Sequence, residues 1–365
     1  MPRFDPRYHR QALLPGLGEP GQERLALAHA VIVGCGALGC AVADHLARAG
    51  VGTLTIIDRD VVELTNLQRQ CLFDERDADE GLPKVEAASR RLAEINSLVR
   101  VLPLAADFNA ASAERLLPAG RGLAVLIDGT DNFDTRFILN DLAVRRGIPY
   151  CYGGAIAARG AWAVFTPGEG PCLRCVMPEP PPAGSVPTCD TAGVLGPAVA
   201  WTAAHQAAAA IRIITGHADG LAGTLHEADL WAGTSRGVRI ERDPACPCCA
   251  GRRFEFLDGA RGVRAVWACG QNAVQVFPDR RTIGGDDDET NDAGHAIDLS
   301  PLGERLRPHG EVSVTRFMAR VTLRDERADD GGPVLLSVFP DGRALIRGLR
   351  DPAAARVIYD RYVGA

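Results

Sequence analysis

The hydrophobic and polar positions along the first two thirds of the chain alternate between two periodicities. Short apolar runs, typical of buried strands, are followed by longer segments in which apolar residues recur every three or four positions, as in amphipathic helices. The predicted elements are a strand from Val31, a helix Ala41–Ala49, a strand Thr53–Ile57, a helix Lys84–Ile95, a strand Val99–Pro103, a helix Ala110–Leu117, a strand Leu123–Asp128, a helix over 133–146, strands Pro149–Gly153 and Gly160–Phe165, and a helix Ala198–Thr215. The alternation indicates an α/β fold: a Rossmann-like, mostly parallel sheet with helices on both faces.

The C-terminal third follows a different pattern. Beyond a cysteine-rich turn at Asp243–Gly251, the segments Val334–Phe339 and Arg343–Ile346 flank Pro340-Asp341-Gly342, which predicts a hairpin, and Pro352–Tyr362 predicts a final helix. We therefore expect two domains, an α/β domain over residues 1–255 and a small α+β module over residues 256–365.

The first predicted strand runs directly into a glycine-rich loop. In Ala30–Cys40, three glycines follow the apolar residues with the spacing of a G-x-G-x-x-G turn, namely Gly34, Gly36 and Gly39. Asp58 follows about twenty residues later at the end of the next strand, where dinucleotide-binding folds place an acid. The following helix N-terminus can bind a phosphate. These features fit a nicotinamide or flavin cofactor as well as ATP.

Composition and charge exclude several classes of protein. The chain is 46% hydrophobic and 24% charged, as in soluble globular proteins. It lacks a long apolar run, and its N-terminus lacks the apolar core of a signal peptide, so we expect a cytoplasmic protein with no membrane partner. The net charge of −6 argues against a nucleic-acid partner. Eleven cysteines in a cytoplasmic chain indicate metal binding or thiol chemistry rather than disulfides.

Lys84 is the one lysine among the 40 basic residues. On a solvated surface arginine and lysine are nearly equivalent, but they differ at a site that needs a compact ammonium group. Lys84 is therefore predicted to make a contact that arginine cannot make. Its chance retention is the alternative.

Two cysteine pairs have the spacing of metal-binding turns. Cys172-Leu-Arg-Cys175 is one, and Cys246-Pro-Cys-Cys249 is the other. Four thiolates complete the tetrahedral shell of a structural zinc ion. Cys248 could replace Cys246 or Cys249, although the spacing favours the outer two. A redox-active C-x-x-C is the competing interpretation.

Cys189 stands apart from these pairs, between a proline-rich segment and the predicted helix Ala198–Thr215. A nearby helix N-terminus lowers the pKa of a thiol and favours the reactive thiolate. Cys189 is thus a candidate reactive thiol, with a buried core cysteine as the alternative.

The segment from Asp58 to Lys84 is the most specific part of the chain. It contains Asp60, then Asn66-Leu-Gln-Arg69-Gln70, then Pro83-Lys84-Val-Glu. Together with Arg-Tyr-His-Arg-Gln near the N-terminus, the glycine loop, Thr-Asp131-Asn132 and both cysteine pairs, it resembles the ubiquitin-activating-enzyme-like adenylyltransferases. Within these, it is similar to the bacterial branch that activates sulfur-carrier proteins for molybdopterin and thiamine synthesis. The resemblance covers residues 5 to 255.

This resemblance implies a role for each matching residue. Asp58 matches the acid that holds the ribose hydroxyls of ATP. Asn66, Arg69 and Lys84 match the groups that hold the triphosphate and the charge that develops at the α-phosphate. Asp131 matches the magnesium-binding acid, with Asn132 beside it, and Asp60 and Gln70 match residues of the nucleotide site. Arg10 matches an arginine that reaches the neighbouring subunit's site. Cys189 matches a cysteine that in some members binds the carrier covalently.

The implied reaction is attack by the C-terminal glycine carboxylate of a small ubiquitin-fold carrier on the α-phosphate of ATP, which gives an acyl-adenylate and pyrophosphate. The implied cofactors are ATP, magnesium and zinc, and the implied partners are a carrier ending in Gly-Gly, a second copy of the chain, and a sulfur donor such as a cysteine desulfurase or rhodanese. A nicotinamide-dependent oxidoreductase and a non-catalytic scaffold are the alternatives. Residues 256–365 lack the sulfur-transfer loop of a rhodanese domain, so we assign them no sulfur transfer.

Overall fold

The computed structural model describes residues 4–118, 122–168, 170–181, 192–259, 273–276 and 297–363. The chain forms two compact units, Met1–Gly262 and Val263–Ala365. The first is built on an eight-stranded sheet in the order β3-β2-β1-β4-β5-β6-β7-β8. Its strands are β1 (His29–Val33), β2 (Thr53–Asp58), β3 (Arg100–Ala105), β4 (Leu123–Asp128), β5 (Tyr150–Ile156), β6 (Arg159–Phe165), β7 (Thr224–Asp229) and β8 (Thr234–Arg239).

Strands β1 to β5 are parallel to one another, whereas β6, β7 and β8 extend the sheet in antiparallel pairs. The helices of this unit are α1 (His9–Ala12), α2 (Gly18–Leu27), α3 (Ala37–Ala49), α4 (Glu75–Glu80), α5 (Lys84–Ile95), α6 (Ala113–Leu116), α7 (Phe133–Arg146), α8 (Leu173–Val176) and α9 (Gly196–Thr215). The predicted α/β class is confirmed.

Alternation along the central strand places a core on each face of the sheet. Ile32 packs with α3, α5 and α9 in one hydrophobic cluster, while Val31 and Val33 pack with α7 in another. Helix α9 approaches the sheet closely because it lies over two glycines. A Cβ atom on Gly153 would lie 2.4 Å from the Gln206 side chain, and one on Gly160 would lie 2.3 Å from Thr202 Oγ1.

Most predicted elements are present, and their ends differ by a few residues. Helix α3 begins at Ala37 rather than Ala41, because the turn over Gly34–Gly36 leads straight into it. The stretch between β2 and α5, for which no element is predicted above, contains a short 3-10 helix (Leu64–Asn66) and α4. Helix α4 forms because Asp74 caps it, accepting hydrogen bonds from the N–H groups of Arg76 and Asp77.

The second unit contains an antiparallel five-stranded sheet in the order β10-β11-β12-β13-β9. Its elements are β9 (Ala273–Val276), α10 (Leu299–Leu306), a 3-10 helix (Arg307–His309), β10 (Gly310–Val314), β11 (Ala319–Arg327), β12 (Pro333–Val338), β13 (Ala344–Arg347) and α11 (Pro352–Tyr362). The predicted hairpin joins β12 to β13, and α11 has the predicted limits. Both helices pack on the apolar face of the sheet.

No helix in the described part of the chain combines the length and the apolar character needed to cross a bilayer.

Candidate active site

The carboxyl ends of β1, β2 and β4 meet at one edge of the first sheet. The Gly34 N–H donates to the Ile57 carbonyl, and the Gly129 N–H donates to the Val33 carbonyl, each at 2.8 Å. This edge carries the glycine loop, Asp58 and the turn that begins at Gly129. The sheet topology thus brings together segments that are up to a hundred residues apart in the chain, which is where ligands bind in open α/β sheets.

The three glycines of the loop differ in what a Cβ atom at each position would contact. A Cβ atom on Gly34, which has a φ of +91°, would lie 2.6 Å from the Gly129 carbonyl group, and one on Gly39 would lie 1.9 Å from the Gly34 carbonyl oxygen. A Cβ atom on Gly36 would meet only the Gly129 carbonyl oxygen, at 3.8 Å. Packing therefore requires Gly34 and Gly39, whereas Gly36 leaves open space at the N-terminus of α3.

Asp58 lies beside this loop and is held by backbone donors. Its Oδ2 accepts a hydrogen bond from the Cys35 N–H at 2.6 Å, and its Oδ1 accepts one from the Asp60 N–H at 2.7 Å. Burial raises the pKa of Asp58 above its ordinary value, and the nearby Lys84 ammonium opposes that shift. The carboxylate is therefore fixed in orientation next to the uncapped N-terminus of α3.

Lys84 is the first residue of α5, and its side chain is 6% exposed. Its Nζ lies 3.0 Å from Asp60 Oδ2. Burial alone would lower the pKa of Lys84, but the negative charges of Asp60 and Asp58, with a smaller effect from Asp131, raise it. The ammonium is charged at neutral pH and faces the same edge as the two acids.

The remaining matched residues of this segment flank the site in different ways. Asn66 is buried, and its Oδ1 accepts a hydrogen bond from the Glu63 N–H. Arg69 is half-buried and donates to the Thr65 carbonyl at 2.9 Å. Gln70 is 4% exposed, and its Oε1 has no hydrogen-bond partner in the described part of the chain. Such a buried carbonyl oxygen fits a site that a ligand donor completes.

Asp131 and Asn132 lie in the turn between β4 and α7. Asp131 is exposed. Asn132 is the N-cap of α7, because its Oδ1 accepts a hydrogen bond from the Thr135 N–H at 2.8 Å. The capping fixes the Asn132 side chain and leaves its amide nitrogen as the part that can contact a ligand.

Sequence reasoning missed the buried network that supports this turn. Asp128 is fully buried, and its carboxylate accepts hydrogen bonds from Thr130 and from the Tyr150 hydroxyl. Arg136 Nε lies 3.3 Å from Asp128 Oδ2, and Arg136 also donates to the carbonyls of Thr130 and Gly153. Burial raises the pKa of Asp128, while Arg136 opposes the rise. An ionisable residue at the end of an apolar strand was the available signal.

Arg10 lies in the short helix α1 and is exposed. Within the described residues its guanidinium makes no hydrogen bond or ion pair. Leu13 and Leu14, which follow it, are 67% and 57% exposed. Cys189, the candidate reactive thiol, lies outside the described residues.

The two cysteine pairs meet although 70 residues separate them in the chain. The Sγ atoms of Cys172, Cys175, Cys246 and Cys249 all lie within 4.8 Å of one another. Cys172 Sγ is 3.6 Å from Cys246 Sγ, and Cys175 Sγ is 3.5 Å from Cys249 Sγ. A tetrahedral zinc ion with Zn–S bonds of about 2.3 Å sets its sulfurs about 3.8 Å apart. The donor set therefore fits zinc, and the cluster fastens the segment after β6 to the segment after β8.

The first cysteine pair is also held through Arg174, which is 2% exposed. Its guanidinium pairs with Glu255 at 3.1 Å and stacks over the Phe256 ring. The Asp141 carboxylate accepts hydrogen bonds from the backbone N–H groups of Phe256 and Leu257. The cluster is thus supported by α7 and by the chain that follows the second pair.

Comparison with known proteins places this geometry in a family. A profile of the ThiF family matches residues 8–248. The chain is 40% identical over 361 residues, 98% of its own length and 99% of the relative's, to a Bacillus subtilis protein named sulfur carrier protein ThiS adenylyltransferase. It is 41% identical over 248 residues, 67% of this chain and 90% of the relative, to a Thermus thermophilus protein named sulfur carrier protein adenylyltransferase.

A further relative is the Sus scrofa protein named adenylyltransferase and sulfurtransferase MOCS3, which is 38% identical over 85% of this chain and 67% of the relative. Among solved structures, E. coli MccB with AMPCPP and MccA superposes with a TM-score of 0.60 at 25% identity, over 67% of this chain and 74% of that one. The chain belongs to the ThiF family, whose members are the adenylyltransferases that its sequence resembles.

Proposed function

We propose that the protein uses ATP to adenylate the C-terminal glycine of a small ubiquitin-fold sulfur carrier, giving an acyl-adenylate and pyrophosphate. Two relatives with 40% and 41% identity are named for adenylyl transfer to sulfur carriers. The observation that carries the proposal is the buried Lys84 ammonium beside Asp58 and Asp60, at the sheet edge that also bears the glycine loop.

That arrangement suits adenylyl transfer for a chemical reason. A carboxylate nucleophile is already charged, so the enzyme need not remove a proton from it. The protein must instead bind phosphate charge and hold the two reactants in line. A fixed, permanently charged ammonium group serves that purpose, whereas hydride transfer to a nicotinamide does not require one.

Each residue at the edge has a part in this proposal. The Asp58 carboxylate accepts hydrogen bonds from the ribose hydroxyls. The N–H groups at the start of α3, next to Gly36, donate hydrogen bonds to phosphate oxygens. Asn66, Arg69 and Lys84 hold the triphosphate, with Lys84 nearest the α-phosphate. Asp60 orients Lys84, and the buried Gln70 Oε1 accepts a hydrogen bond from the bound ligand.

Magnesium would be held by Asp131, whose exposed carboxylate is near enough to Lys84 to help raise its pKa, with Asn132 beside it. When bound, the ion would neutralise part of the charge of the triphosphate. Zinc would be held by Cys172, Cys175, Cys246 and Cys249, where four thiolates form a closed, structural shell that leaves no position for a substrate.

We further propose a homodimer in which Arg10 of each subunit completes the site of the other. The exposed guanidinium has no partner within its own described chain, and the adjacent exposed Leu13 and Leu14 provide apolar area for a second copy. The adenylyltransferase activity is assigned to residues 1–255, which is supported by the Thermus relative that matches over 248 residues.

Cys189 is the candidate for a covalent link to the carrier, and a cysteine desulfurase or rhodanese would supply the sulfur in a later step. We place the protein in the cytoplasm, where ATP is available. The match to the Bacillus relative named for ThiS covers 99% of that relative, against 67% of the MOCS3 relative, which supports a ThiS-like carrier over a molybdopterin-pathway carrier.

ATP–pyrophosphate exchange tests the proposal. The purified protein is assayed with ThiS-like and molybdopterin-pathway carriers ending in Gly-Gly, each beside a matched carrier that lacks the terminal glycine. We expect exchange only with an intact Gly-Gly terminus, and fastest with the ThiS-like carrier. Exchange with truncated carriers, or binding of NAD in place of ATP, would contradict the proposal. Preference for the molybdopterin-pathway carrier would overturn only the choice of carrier.

A further inference from the structure

The metal cluster offers more thiols than zinc has positions. Cys248 lies between the two predicted ligands Cys246 and Cys249, and its side chain is fully buried within the same small cluster. Its thiol also contacts Cys172. Cys248 therefore lies beside the ligand set, although its Sγ is not one of the four that all lie within 4.8 Å of one another. Cys249, whose Sγ is one of the four, is only half-buried.

One side chain contacts both cysteine segments and distinguishes between these thiols. Asn140, in α7, is 1% exposed. Its Oδ1 accepts a hydrogen bond from the Leu173 N–H at 2.8 Å, within the first cysteine pair. Its Nδ2 donates to Cys248 Sγ at 3.3 Å, within the second. The same carboxamide thus sets the position of one turn and the side-chain direction of the other.

The turn containing the second pair has little freedom to rearrange. The Cys246 carbonyl accepts hydrogen bonds from the N–H groups of Ala250 and Gly251, and the Cys248 carbonyl accepts one from Arg252. These hydrogen bonds restrain the backbone of the turn, so rotation of the cysteine side chains is the main freedom that remains. The hydrogen bond from Asn140 holds Cys248 toward α7, where the thiol also interacts with the Asp141 carboxylate, and Cys249 is left to approach Cys175 at 3.5 Å.

We propose that Asn140 is a positioning residue that selects the metal-ligand set: it retains Cys248 as a non-ligating thiol and thereby makes Cys249 the fourth ligand. Groups that hydrogen-bond near metal ligands commonly fix ligand orientation in this way. The role does not depend on which carrier the protein activates or on whether it forms an adenylate.

Cobalt(II) substitution tests the proposal, because the thiolate-to-cobalt charge-transfer absorption rises with the number of coordinating thiolates. The wild type and Cys248→Ser should both show four thiolates, and Cys249→Ser should show three. Adding Asn140→Asp to Cys249→Ser should restore four. The aspartate keeps an acceptor for the Leu173 N–H but cannot donate to Cys248, so that thiol is released to ligate.

Metal stoichiometry and thermal unfolding, measured on the same samples, show that each variant is folded and loaded. If Asn140→Asp does not fold, Asn140→Ala removes the donor without adding a charge. Arg145→Gln combined with Cys249→Ser is the matched control, since Arg145 lies in α7 but pairs with Glu114 and Asp258 at the surface. This control should remain at three thiolates.

Three results would overturn the proposal. Four thiolates in Cys249→Ser alone would show that Cys248 ligates without release from Asn140. A lost thiolate in Cys248→Ser would show that Cys248 is itself a ligand. Three thiolates in both double variants at position 140 would show that Asn140 does not select the ligand.

Discussion

Lys84 and Asp60 contact each other twice. The Lys84 Nζ lies 3.0 Å from Asp60 Oδ2, and the Lys84 backbone N–H donates to the Asp60 carbonyl at 2.9 Å. The first residue of α5 is therefore joined to the chain just after β2 through backbone and side chain together. This double contact fixes the ammonium group at the sheet edge before any substrate binds, so the cost of orienting it is met during folding.

Replacing Lys84 with arginine should abolish adenylation, even though the charge is kept. The Lys84 side chain is buried, and the planar guanidinium is broader than an ammonium group. We expect pyrophosphate exchange to fall by at least about 100-fold, comparable with the loss of one charge-stabilising donor. Arg90→Lys, an opposite exchange at the exposed side of the same helix, is the control and should retain activity. Near-normal exchange in Lys84→Arg would mean that the single lysine is retained by chance.

Asp60→Asn should make activity sensitive to alkaline pH. Burial lowers the pKa of Lys84, and the charges of Asp60 and Asp58 together raise it above its usual value of about 10.4. Removing the Asp60 charge leaves burial less opposed, so Lys84 loses its proton at a lower pH. The ratio of variant to wild-type exchange rate should therefore fall as pH rises from neutral toward the alkaline range. A ratio that does not change with pH would show that Asp60 does not control the charge of Lys84.

Asp58 should make nucleotide affinity sensitive to acidic pH. Burial raises the pKa of Asp58 above its ordinary value of about 3.9, so the carboxylate gains a proton at a higher pH than a solvated aspartate does. Only the ionised group can accept hydrogen bonds through both oxygens. We expect the affinity for a non-hydrolysable ATP analogue, measured by calorimetry, to fall as pH is lowered toward that raised pKa.

Asp58→Asn is the control for this measurement. It should bind the analogue more weakly, and its affinity should lack the part of the pH dependence that comes from residue 58. Titration of the ligand's own phosphates is common to both proteins and cancels in the comparison. Equal pH dependence in the two proteins would contradict the assignment of Asp58 to the ribose.

Local patterns were sufficient for the α/β class and for the sheet edge. The apolar β1 ends just before Gly34, and β2 ends at Asp58, so parallel pairing alone places these residues side by side. The antiparallel extension through β6, β7 and β8 could not be predicted in the same way, because a strand's residues do not specify which neighbour it pairs with.

The side-chain contacts that support the site could not be predicted from the sequence, for a related reason. The pairing of Asp128 with Arg136 and that of Asn140 with Cys248 depend on how α7 is rotated against the sheet. Spacing in the chain does not give that rotation. Composition also gave no sign that Gln70 would be buried with an unpaired oxygen, since glutamine is mostly exposed in proteins.

Arg136→Met should destabilise the first unit and loosen the turn that bears Asp131. Asp128 is fully buried, and Arg136 is its cationic partner. Removing one member of a buried pair typically costs about 3–5 kcal/mol, because the other charge is left uncompensated. Urea unfolding should show that loss, and Asp128→Asn in the same chain should recover part of it. If the double variant is no more stable than Arg136→Met, the destabilisation does not arise from the unpaired carboxylate.

The proposed exchange of Arg10 between subunits can be tested by mixing two inactive proteins. Arg10→Ala removes the arginine given to the partner's site, and Lys84→Arg inactivates the subunit's own site. In a mixed dimer, the site with an intact Lys84 receives an intact Arg10 from the other subunit, while the second site lacks both. Random exchange of equal amounts forms mixed dimers in half of the molecules, so activity should return to about a quarter of the wild-type value.

Each protein is assayed alone beside the mixture, and an unmixed pair held apart until the assay controls for slow exchange of subunits. If Arg10 served the site of its own subunit, the mixed dimer would contain no complete site and the mixture would stay inactive. Full activity of Arg10→Ala alone would instead make this exposed residue a solvated surface charge. A quarter of the activity, appearing only after the subunits have exchanged, requires that Arg10 acts across the interface.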